Sequence, residues 1–282
     1  MITAKRNIIL KGEHNKPILT DVFYNNKKDK QPIVIFCHGY KGFKDWGAWD
    51  LVANAFAQAG FFFIKFNFSH NGGTIEQPMD FPDLDAFGAN NYLIELDDLK
   101  CVLDQVTSAS FEYQQYVNPN NIVLIGHSRA GGITTIKASE DSRISKLITW
   151  AGVSDYEDRF PKGPTFQTWK DEGVFYVENG RTKQKMPHDF QFYTTFAENK
   201  ERLTIAKAAK NVKVPYLIIH GTEDPTVSMK EAEDLNSWNP NSELYLVSGA
   251  DHVFGAKHPW RQEKMPEDLS TITKKSIEFG IL

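Results

Sequence analysis

Three residues of this chain have the types and the order that acyl-transfer chemistry requires: Ser128, Asp224 and His252. A serine hydroxyl is a weak nucleophile. It needs a neutral histidine to accept its proton and a carboxylate to orient that imidazole. Serine, acid and then histidine is one of the chain orders in which such triads occur. We therefore predict that these three side chains meet in the folded protein, with Ser128 as the nucleophile.

The residues around Ser128 predict a sharp strand-to-helix turn. An apolar run at 122–125 precedes the serine, and a helix-compatible stretch at 133–138 follows it. Such a turn exposes the hydroxyl only when the residues two positions before and after it are small. Gly126 and Ala130 hold these positions, and alanine departs from the usual glycine by one Cβ, so we expect the turn to survive. The alternative is a plain connection in which Ser128 caps the helix.

The candidate acid follows an apolar run at 216–219, in the turn that contains Asp224. Glu223 is the neighbouring carboxylate, and we expect it to be solvated and Asp224 to be the acid. His220 ends the run, and we expect it to be structural.

The candidate base follows the next apolar run, at 244–247, in the loop that contains His252. It directly follows a predicted strand downstream of Asp224, which is the position that the triad order requires. Asp251 is expected to be a loop residue, and His258, which lies further along, is the alternative base.

Acyl transfer also needs N–H donors for the oxyanion that develops on the carbonyl. One donor is expected at the backbone N–H of Arg129, directly after the nucleophile. The other is expected in the loop 38–42, where the backbone N–H of Tyr40 is the best candidate and His38 is expected to be structural. For the Arg129 side chain we expect a salt bridge on a helix surface, and binding of an acidic substrate group is the alternative.

The elements that must position these residues alternate along the chain between strand and helix patterns. Short apolar runs of this kind are typical of strands buried on both faces; they lie at 33–37, 61–66, 122–125, 147–150, 216–219 and 244–247. Helical periodicity separates several of them, as in Trp49, Ala53 and Phe56. The pattern predicts an α/β fold with a mostly parallel central sheet and helices on both faces. Residues 2–10 and 17–24 predict an N-terminal antiparallel hairpin.

One connection is too long for a simple crossover. More than sixty residues separate the runs at 147–150 and 216–219, and a crossover helix at 197–210 accounts for a small part of them. A structureless loop of the remaining length would be unusual in a compact domain. We expect the aromatic-rich segment 153–196 to be a cap inserted into a single domain that spans residues 1–282.

The net charge and the distribution of apolar residues argue against several classes of function. The formal net charge of the 282 residues is −4, which gives no reason to expect nucleic acid or an anionic membrane as a partner. The N-terminus does not resemble a signal peptide, and no apolar run approaches the length that spans a bilayer. A cytoplasmic protein is the simplest interpretation, with buried free thiols at Cys37 and Cys101 and the oligomeric state left open.

Four segments together resemble the α/β-hydrolase superfamily: His-Gly-Tyr-Lys-Gly at 38–42, Gly-His-Ser at 126–128, His-Gly-Thr-Glu-Asp at 220–224 and Asp-His-Val-Phe at 251–254. Within the superfamily they are most similar to bacterial esterases of the cinnamoyl or feruloyl kind and to acylpeptidase-like relatives. The resemblance covers about residues 33–260, and it departs from the usual pattern at Ala130.

The resemblance implies hydrolysis of a small-molecule ester through an acyl-enzyme, with no metal and no organic cofactor. The ester would be small or medium in size, and the aromatic residues of 153–196 make an aromatic acyl group one option. A serine peptidase of the prolyl-oligopeptidase kind is a second hypothesis, although those enzymes generally carry an accessory propeller for which this chain leaves no room. A hydrolase fold used only for binding is the third, and such proteins usually lose a triad member.

Overall fold

Strands and helices alternate along residues 1–281, which the computed structural model describes; Leu282, the last residue of the predicted domain, lies outside the described residues. The strands are β1 (Ile2–Lys11), β2 (Pro17–Asn25), β3 (Gln31–Cys37), β4 (Phe62–Phe66), β5 (Val117–His127), β6 (Ile144–Trp150), β7 (Val174–Glu178), β8 (Lys185–Asp189), β9 (Tyr216–Gly221) and β10 (Ser242–Val247). The helices are α1 (Trp49–Ala59), α2 (Leu84–Ala89), α3 (Tyr92–Thr107), α4 (Arg129–Glu140), α5 (Gly163–Glu172), α6 (Gln191–Glu198), α7 (Lys200–Leu203), α8 (Ile205–Asn211), α9 (Met229–Trp238) and α10 (Glu267–Ile281).

Eight of these strands form one sheet in the order β1-β2-β4-β3-β5-β6-β9-β10. The first three strands pair antiparallel, and every other neighbouring pair is parallel. The predicted mostly parallel sheet and the predicted N-terminal hairpin are both confirmed. In a parallel sheet the carboxyl ends of the strands share one edge, so the loops after β3, β5, β9 and β10 come together there.

The apolar runs are strands because they bury side chains on both faces of the sheet. In β3, Ile33 and Ile35 pack into one core and Val34 and Phe36 into the other, as the two-residue strand period requires. Helices α1 and α10 cover one face, whereas α3, α4, α8 and α9 cover the other. The sheet therefore has the predicted helical layer on each side.

The segment 153–196 contains α5, the separate two-stranded hairpin of β7 and β8, and most of α6. Its aromatic rings continue the core above α3: the ring centroids of Tyr92 and Phe192 are 4.8 Å apart, and those of Tyr92 and Tyr156 are 3.7 Å apart. Trp169 is almost fully buried, and its indole N–H donates to the carbonyl of His188 at 2.7 Å. Trp169 therefore links α5 to the hairpin, and the ring contacts of Tyr92 link α3 to the segment 153–196.

The predicted single helix at 197–210 was wrong, because three short helices cover this region. The backbone of Thr204 is extended between α7 and α8. Leu203 and Ile205 on either side of it are both buried. Residues two apart face different directions in a continuous helix, so a break allows both to face the core. The Thr204 hydroxyl donates to the carbonyl of Lys200 at 2.7 Å and closes the last turn of α7.

None of the helices within residues 1–281 is both long enough and apolar enough to cross a membrane. Both cysteines are free thiols; Cys37 is buried as predicted, whereas Cys101 is partly exposed.

Candidate active site

The turn between β5 and α4 places Ser128 in an unusual backbone conformation, with φ +57° and ψ −122°. Conformations of this kind cost energy in a residue with a Cβ and persist when surrounding contacts hold them. Here the backbone N–H of Ser128 donates to Trp150 O at 2.9 Å. The Ser128 carbonyl accepts from Gly131 N at 2.8 Å and from Val153 N at 3.2 Å. The end of β6, the loop that follows it and the first turn of α4 therefore stabilise the conformation of Ser128.

The small residues beside the serine are required by close backbone approach. A Cβ added at Gly126 would lie 2.2 Å from Thr134 Oγ1 and 2.4 Å from Ala130 O, distances that no side chain tolerates. The methyl group of Ala130 is fully buried without disturbing the turn. The departure from glycine at this position is thus accommodated.

The structure brings Ser128, His252 and Asp224 together in one chain of hydrogen bonds. Ser128 Oγ lies 2.9 Å from His252 Nε2, and His252 Nδ1 lies 2.7 Å from Asp224 Oδ2. These are the distances and the nitrogen assignments that proton transfer from serine to imidazole requires. Residues 124 positions apart in the sequence therefore meet at the carboxyl edge of the sheet.

The carboxylate of Asp224 accepts several hydrogen bonds. Its Oδ1 accepts from the backbone N–H groups of Thr226 at 2.7 Å and Val227 at 2.9 Å. Burial alone would raise the pKa of Asp224, but hydrogen bonds from His220, His252 and the Val227 N–H outweigh it. The pKa therefore lies well below the usual range of a carboxyl, and Asp224 stays ionised beside the imidazole.

Two further histidines contact this hydrogen-bond chain, and neither was predicted from the sequence to take part in it. His220 Nε2 lies 3.4 Å from Asp224 Oδ2, and His127 Nε2 lies 3.0 Å from the carbonyl of His252. Burial lowers the pKa of His127 to about 3, so it is neutral and its Nε2–H can donate to that carbonyl. Their positions in the sequence could have indicated these contacts, because His127 directly precedes Ser128 and His220 precedes Asp224 by four residues.

The other candidates lie outside the hydrogen-bond chain. Glu223 is exposed, as predicted. Asp251 Oδ1 accepts from Val253 N at 3.0 Å and Gly255 N at 2.9 Å, so it organises its own loop. His258 accepts from Gly47 N at 3.0 Å, away from Ser128.

The loop after β3 approaches Ser128 so closely that a side chain at Gly39 would not fit. A Cβ at Gly39 would lie 2.8 Å from Ser128 Cβ and 3.3 Å from Ser128 Oγ. Among residues 1–281 no protein acceptor receives the N–H of Tyr40, and Arg129 is the first residue of α4, where N–H groups lack helical partners. The loop is held from below by His38, which contacts Gly39 O at 2.9 Å.

A cavity of about 230 Å³ opens beside Ser128, between the sheet edge and the segment 153–196. Its surface is largely apolar and aromatic; the rings belong to Tyr92, Tyr156, Phe160, Trp169, Phe175 and Phe192. A smaller cleft of about 120 Å³ lies on the other side of Ser128, and its walls include His252, Trp46, Trp49 and Lys41. Ser128 therefore has space on two sides, one apolar and one more polar.

The Arg129 side chain corrects one expectation. It does form a salt bridge, to Glu95, but the pair is buried beside the cavity and not on a helix surface. The guanidinium also lies over the rings of Tyr40 and Tyr92, at 5.2 and 5.8 Å from their centroids. Because Glu95 balances its charge, Arg129 contributes hydrogen-bond donors and not a net positive charge to the cavity wall.

Among residues 1–281 one group of three carboxylates, Asp21, Asp45 and Asp50, is close enough to share a metal ion. The ammonium group of Lys65 already lies 2.9, 2.5 and 2.7 Å from their oxygens, and that of Lys44 contacts Asp21 and Asp45. The lysines supply the positive charge that a cation would supply, so this cluster is a buried ion-pair network.

Comparison with known proteins assigns the chain to a family. Residues 86–266, which include Ser128, Asp224 and His252, match the model of the prolyl oligopeptidase family. The chain belongs to the prolyl oligopeptidase family. No curated protein sequence matches it significantly.

Solved structures share the fold of this family member at low sequence identity. Est1E from Butyrivibrio proteoclasticus, solved with ferulic acid bound, matches with a TM-score of 0.74 at 16% identity over 97% of this chain and 98% of its own. Dienelactone hydrolase from Anabaena variabilis matches with 0.64 at 16% over 99% and 97%. A puromycin-hydrolyzing peptidase from Mycobacterium tuberculosis matches with 0.65 at 16% over 99% of this chain and 38% of its own.

Fold and family together identify a member of the α/β-hydrolase superfamily. They support a serine-type hydrolase, and the structures at these identities establish the fold alone.

Gly39→Ala should reduce hydrolase activity, assayed with a small chromogenic substrate such as p-nitrophenyl acetate, by about 100-fold, because displacement of groups at a reacting centre by about 1 Å has effects of that size. The added methyl would meet Ser128 Cβ at 2.8 Å and push the loop or Ser128 aside. The matched control is Gly180→Ala, where nothing lies within 4 Å of the added Cβ. Equal turnover by the two variants would show that this close approach is unimportant.

Proposed function

We propose that the chain is a serine carboxylic-ester hydrolase that works through an acyl-enzyme. Ser128, His252 and Asp224 would form the catalytic triad, and the backbone N–H groups of Tyr40 and Arg129 would form the oxyanion hole. The observation that carries the proposal is the continuous hydrogen-bond chain from Asp224 through His252 to Ser128, at the mouth of an apolar cavity.

Acylation begins when Ser128 Oγ attacks the ester carbonyl and His252 Nε2 takes the hydroxyl proton. The imidazolium that forms is stabilised by the ionised Asp224, and the negative charge on the carbonyl oxygen is stabilised by the two N–H donors. As the tetrahedral intermediate collapses, His252 gives its proton to the departing alcohol oxygen, which leaves the acyl group on Ser128.

Deacylation repeats the sequence with water. His252 removes a proton from a water molecule, whose oxygen attacks the acyl carbonyl and forms a second tetrahedral intermediate. Collapse returns the proton to Ser128 Oγ and releases the carboxylic acid. The side chains of the site suffice for each proton transfer.

The larger cavity and the smaller cleft beside Ser128 differ in whether His252, the proposed proton donor, lines them. We use this difference to place the acyl half and the alcohol half of the ester. The alcohol oxygen must lie within reach of His252 Nε2 to receive its proton. His252 lines the smaller cleft and does not line the larger cavity. The alcohol half therefore belongs in the cleft, and the acyl half belongs in the aromatic cavity.

The volume and lining of the cavity favour a medium-sized apolar or aromatic acyl group. Flat rings pack well against the edges and faces of other aromatic rings. The ferulic acid complex of Est1E is a solved precedent for an aromatic acid in a protein of this fold. In this proposal the segment 153–196 is a cap within the single domain 1–282, and the substrate is a small molecule.

A serine peptidase is the second candidate, favoured by the family match and by the puromycin-hydrolyzing peptidase among the similar structures. The same triad can cleave an amide if His252 protonates the departing amine. Faster turnover of aminoacyl-naphthylamides than of esters would favour this candidate.

Ser128→Ala should abolish ester turnover, with a loss of at least about 10⁴-fold, because no other group would form the acyl-enzyme. The test is hydrolysis of p-nitrophenyl and methyl cinnamate esters by purified protein. Ser139→Ala is the matched control, since this serine lies on the same helix and donates to Ile136 O at 2.7 Å. A folded wild type with no ester or amide turnover would support a binding protein instead.

Val177→Phe should reduce turnover of methyl cinnamate relative to p-nitrophenyl acetate, by about 10-fold or more. Val177 lines the cavity, so a larger ring there would take space from a bulky acyl group but not from an acetyl group. Val174→Phe on the same strand is the control, because Val174 does not line the cavity. Equal loss on both esters would contradict the placement of the acyl half.

A further inference from the structure

The loop 38–42, which we call the oxyanion loop, and the segment 153–196 are joined by a hydrogen bond between two partly buried side chains. The phenol oxygen of Tyr40 lies 2.9 Å from Nε2 of His188, which is on β8. Tyr40 is the residue whose backbone N–H the proposed function places in the oxyanion hole. In the proposed mechanism the backbone N–H of Tyr40 is therefore directed at the reacting carbonyl, while its side chain is hydrogen-bonded to the segment 153–196.

Tyr40 lies in a turn that the N–H of Gly42 closes by donating to Gly39 O at 3.0 Å, and the centroids of the Tyr40 and Phe87 rings are 6.0 Å apart. The neighbours of Tyr40 are fixed from below, since His38 contacts Gly39 O at 2.9 Å and Asn71 Nδ2 donates to Gly42 O at 3.2 Å. Between these two points, within the described part of the chain, the bond to His188 is the hydrogen bond that Tyr40 makes. The left-handed backbone of Lys41, with φ +55°, directly follows it. The bond to His188 therefore adds a side-chain anchor to the turn that holds the Tyr40 peptide group.

His188 is itself firmly held. Its carbonyl accepts from the indole N–H of Trp169 at 2.7 Å, and its ring meets the Phe87 ring edge-on at 5.5 Å. The flanking residues of β8 pack on α2: a Cβ at Gly88 would lie 3.1 Å from Asp189 Oδ1 and 3.3 Å from Pro187 Cγ. His188 is therefore held in place by α2 and by the segment 153–196, and its hydrogen bond holds the Tyr40 side chain relative to both.

Both partners keep the protonation states that this bond needs. Burial lowers the pKa of His188 to about 4 and raises the pKa of Tyr40 to about 12. A neutral imidazole and a neutral phenol therefore face each other across the pH range in which esterases are assayed. The guanidinium of Arg129, which is balanced by Glu95, and the ammonium of Lys41 lower the pKa of His188 further.

We propose that His188 is a positioning residue, which acts through Tyr40 to hold one oxyanion donor at the site where charge develops. The inference rests on the proposed function and goes beyond it, because it gives 153–196 a part in the chemistry of every substrate. A residue that only lined the cavity would affect substrates large enough to touch it. A residue that positions the oxyanion donor affects the turnover of small substrates as well.

The test measures kcat and KM for p-nitrophenyl acetate and the rate at which diisopropyl fluorophosphate phosphorylates Ser128. Both readouts use groups too small to fill the cavity, and both place an oxygen in the oxyanion hole. His188→Ala and Tyr40→Phe should each lower kcat and the labelling rate by about 10- to 100-fold, with KM little changed. The double variant should be no worse than either single one, because both changes break the same bond.

Two variants separate positioning from general loss of structure. His188→Gln keeps a hydrogen-bonding group near the position of Nε2 and should restore most of the rate. Tyr176→Ala changes an exposed residue on the same hairpin and should leave both readouts unchanged. If His188→Ala does not fold, Tyr40→Phe tests the same bond from the loop side and keeps the ring in place.

The outcomes are distinct. Unchanged kcat and labelling rate in Tyr40→Phe, or a defect of His188→Ala confined to KM for cinnamoyl esters, would overturn the inference while leaving the proposed function intact. A wild type whose Ser128 is not labelled would overturn the proposed function, and the inference would fall with it.

Discussion

The left-handed backbone of Ser128 is the constraint on which the rest of the site depends. A residue with a Cβ does not adopt this conformation without compensation, and the strand end at Trp150 and the backbone of Val153 supply it. In return the hydroxyl projects from the turn, and α4 begins at the next residue with its N–H groups directed toward the same space. The close packing that holds this turn explains why glycine occurs at position 126 and again at position 39 on the adjacent loop.

The sheet order brings the remaining groups to the serine. Strand β5 lies between β3 and β6, so the loop that carries Tyr40 is its direct neighbour on one side. Strands β9 and β10 follow on the other side, and their carboxyl ends carry Asp224 and His252. Parallel pairing is therefore what converts four distant segments of sequence into one site.

The strands, the turn and the meeting of Ser128, Asp224 and His252 could be predicted because each run or residue is marked locally. A run such as Ile122–Ile125 is recognisable from its apolar side chains, and Gly126, Ser128, Asp224 and His252 lie at defined positions relative to such runs. The contacts of His127, His220 and His188 could not be predicted in the same way, because each depends on which distant backbone or side chain the fold brings next to it. The buried setting of Arg129 was missed for that reason, since Glu95 and Tyr92 come from α3 and Tyr40 comes from the loop after β3.

The break of the helix predicted at 197–210 has a similar origin, because the need to bury both Leu203 and Ile205 outweighed local helix propensity. Interactions of the fold as a whole also determine how the segment 153–196 packs. Its aromatic residues are visible in the sequence, but their arrangement around a cavity of about 230 Å³ beside Ser128 follows from packing on α3.

In the proposed mechanism Ser128 carries the acyl group during turnover. The most direct measurement is mass spectrometry of protein mixed with p-nitrophenyl cinnamate and quenched in acid within the first turnovers. We expect the mass of the protein to increase by one cinnamoyl group. The added group should lie in the peptide that contains Ser128, and Ser128→Ala should not acquire it. Cinnamate release at an undiminished rate by the alanine variant, or an acyl group found on a different residue, would contradict the proposed mechanism.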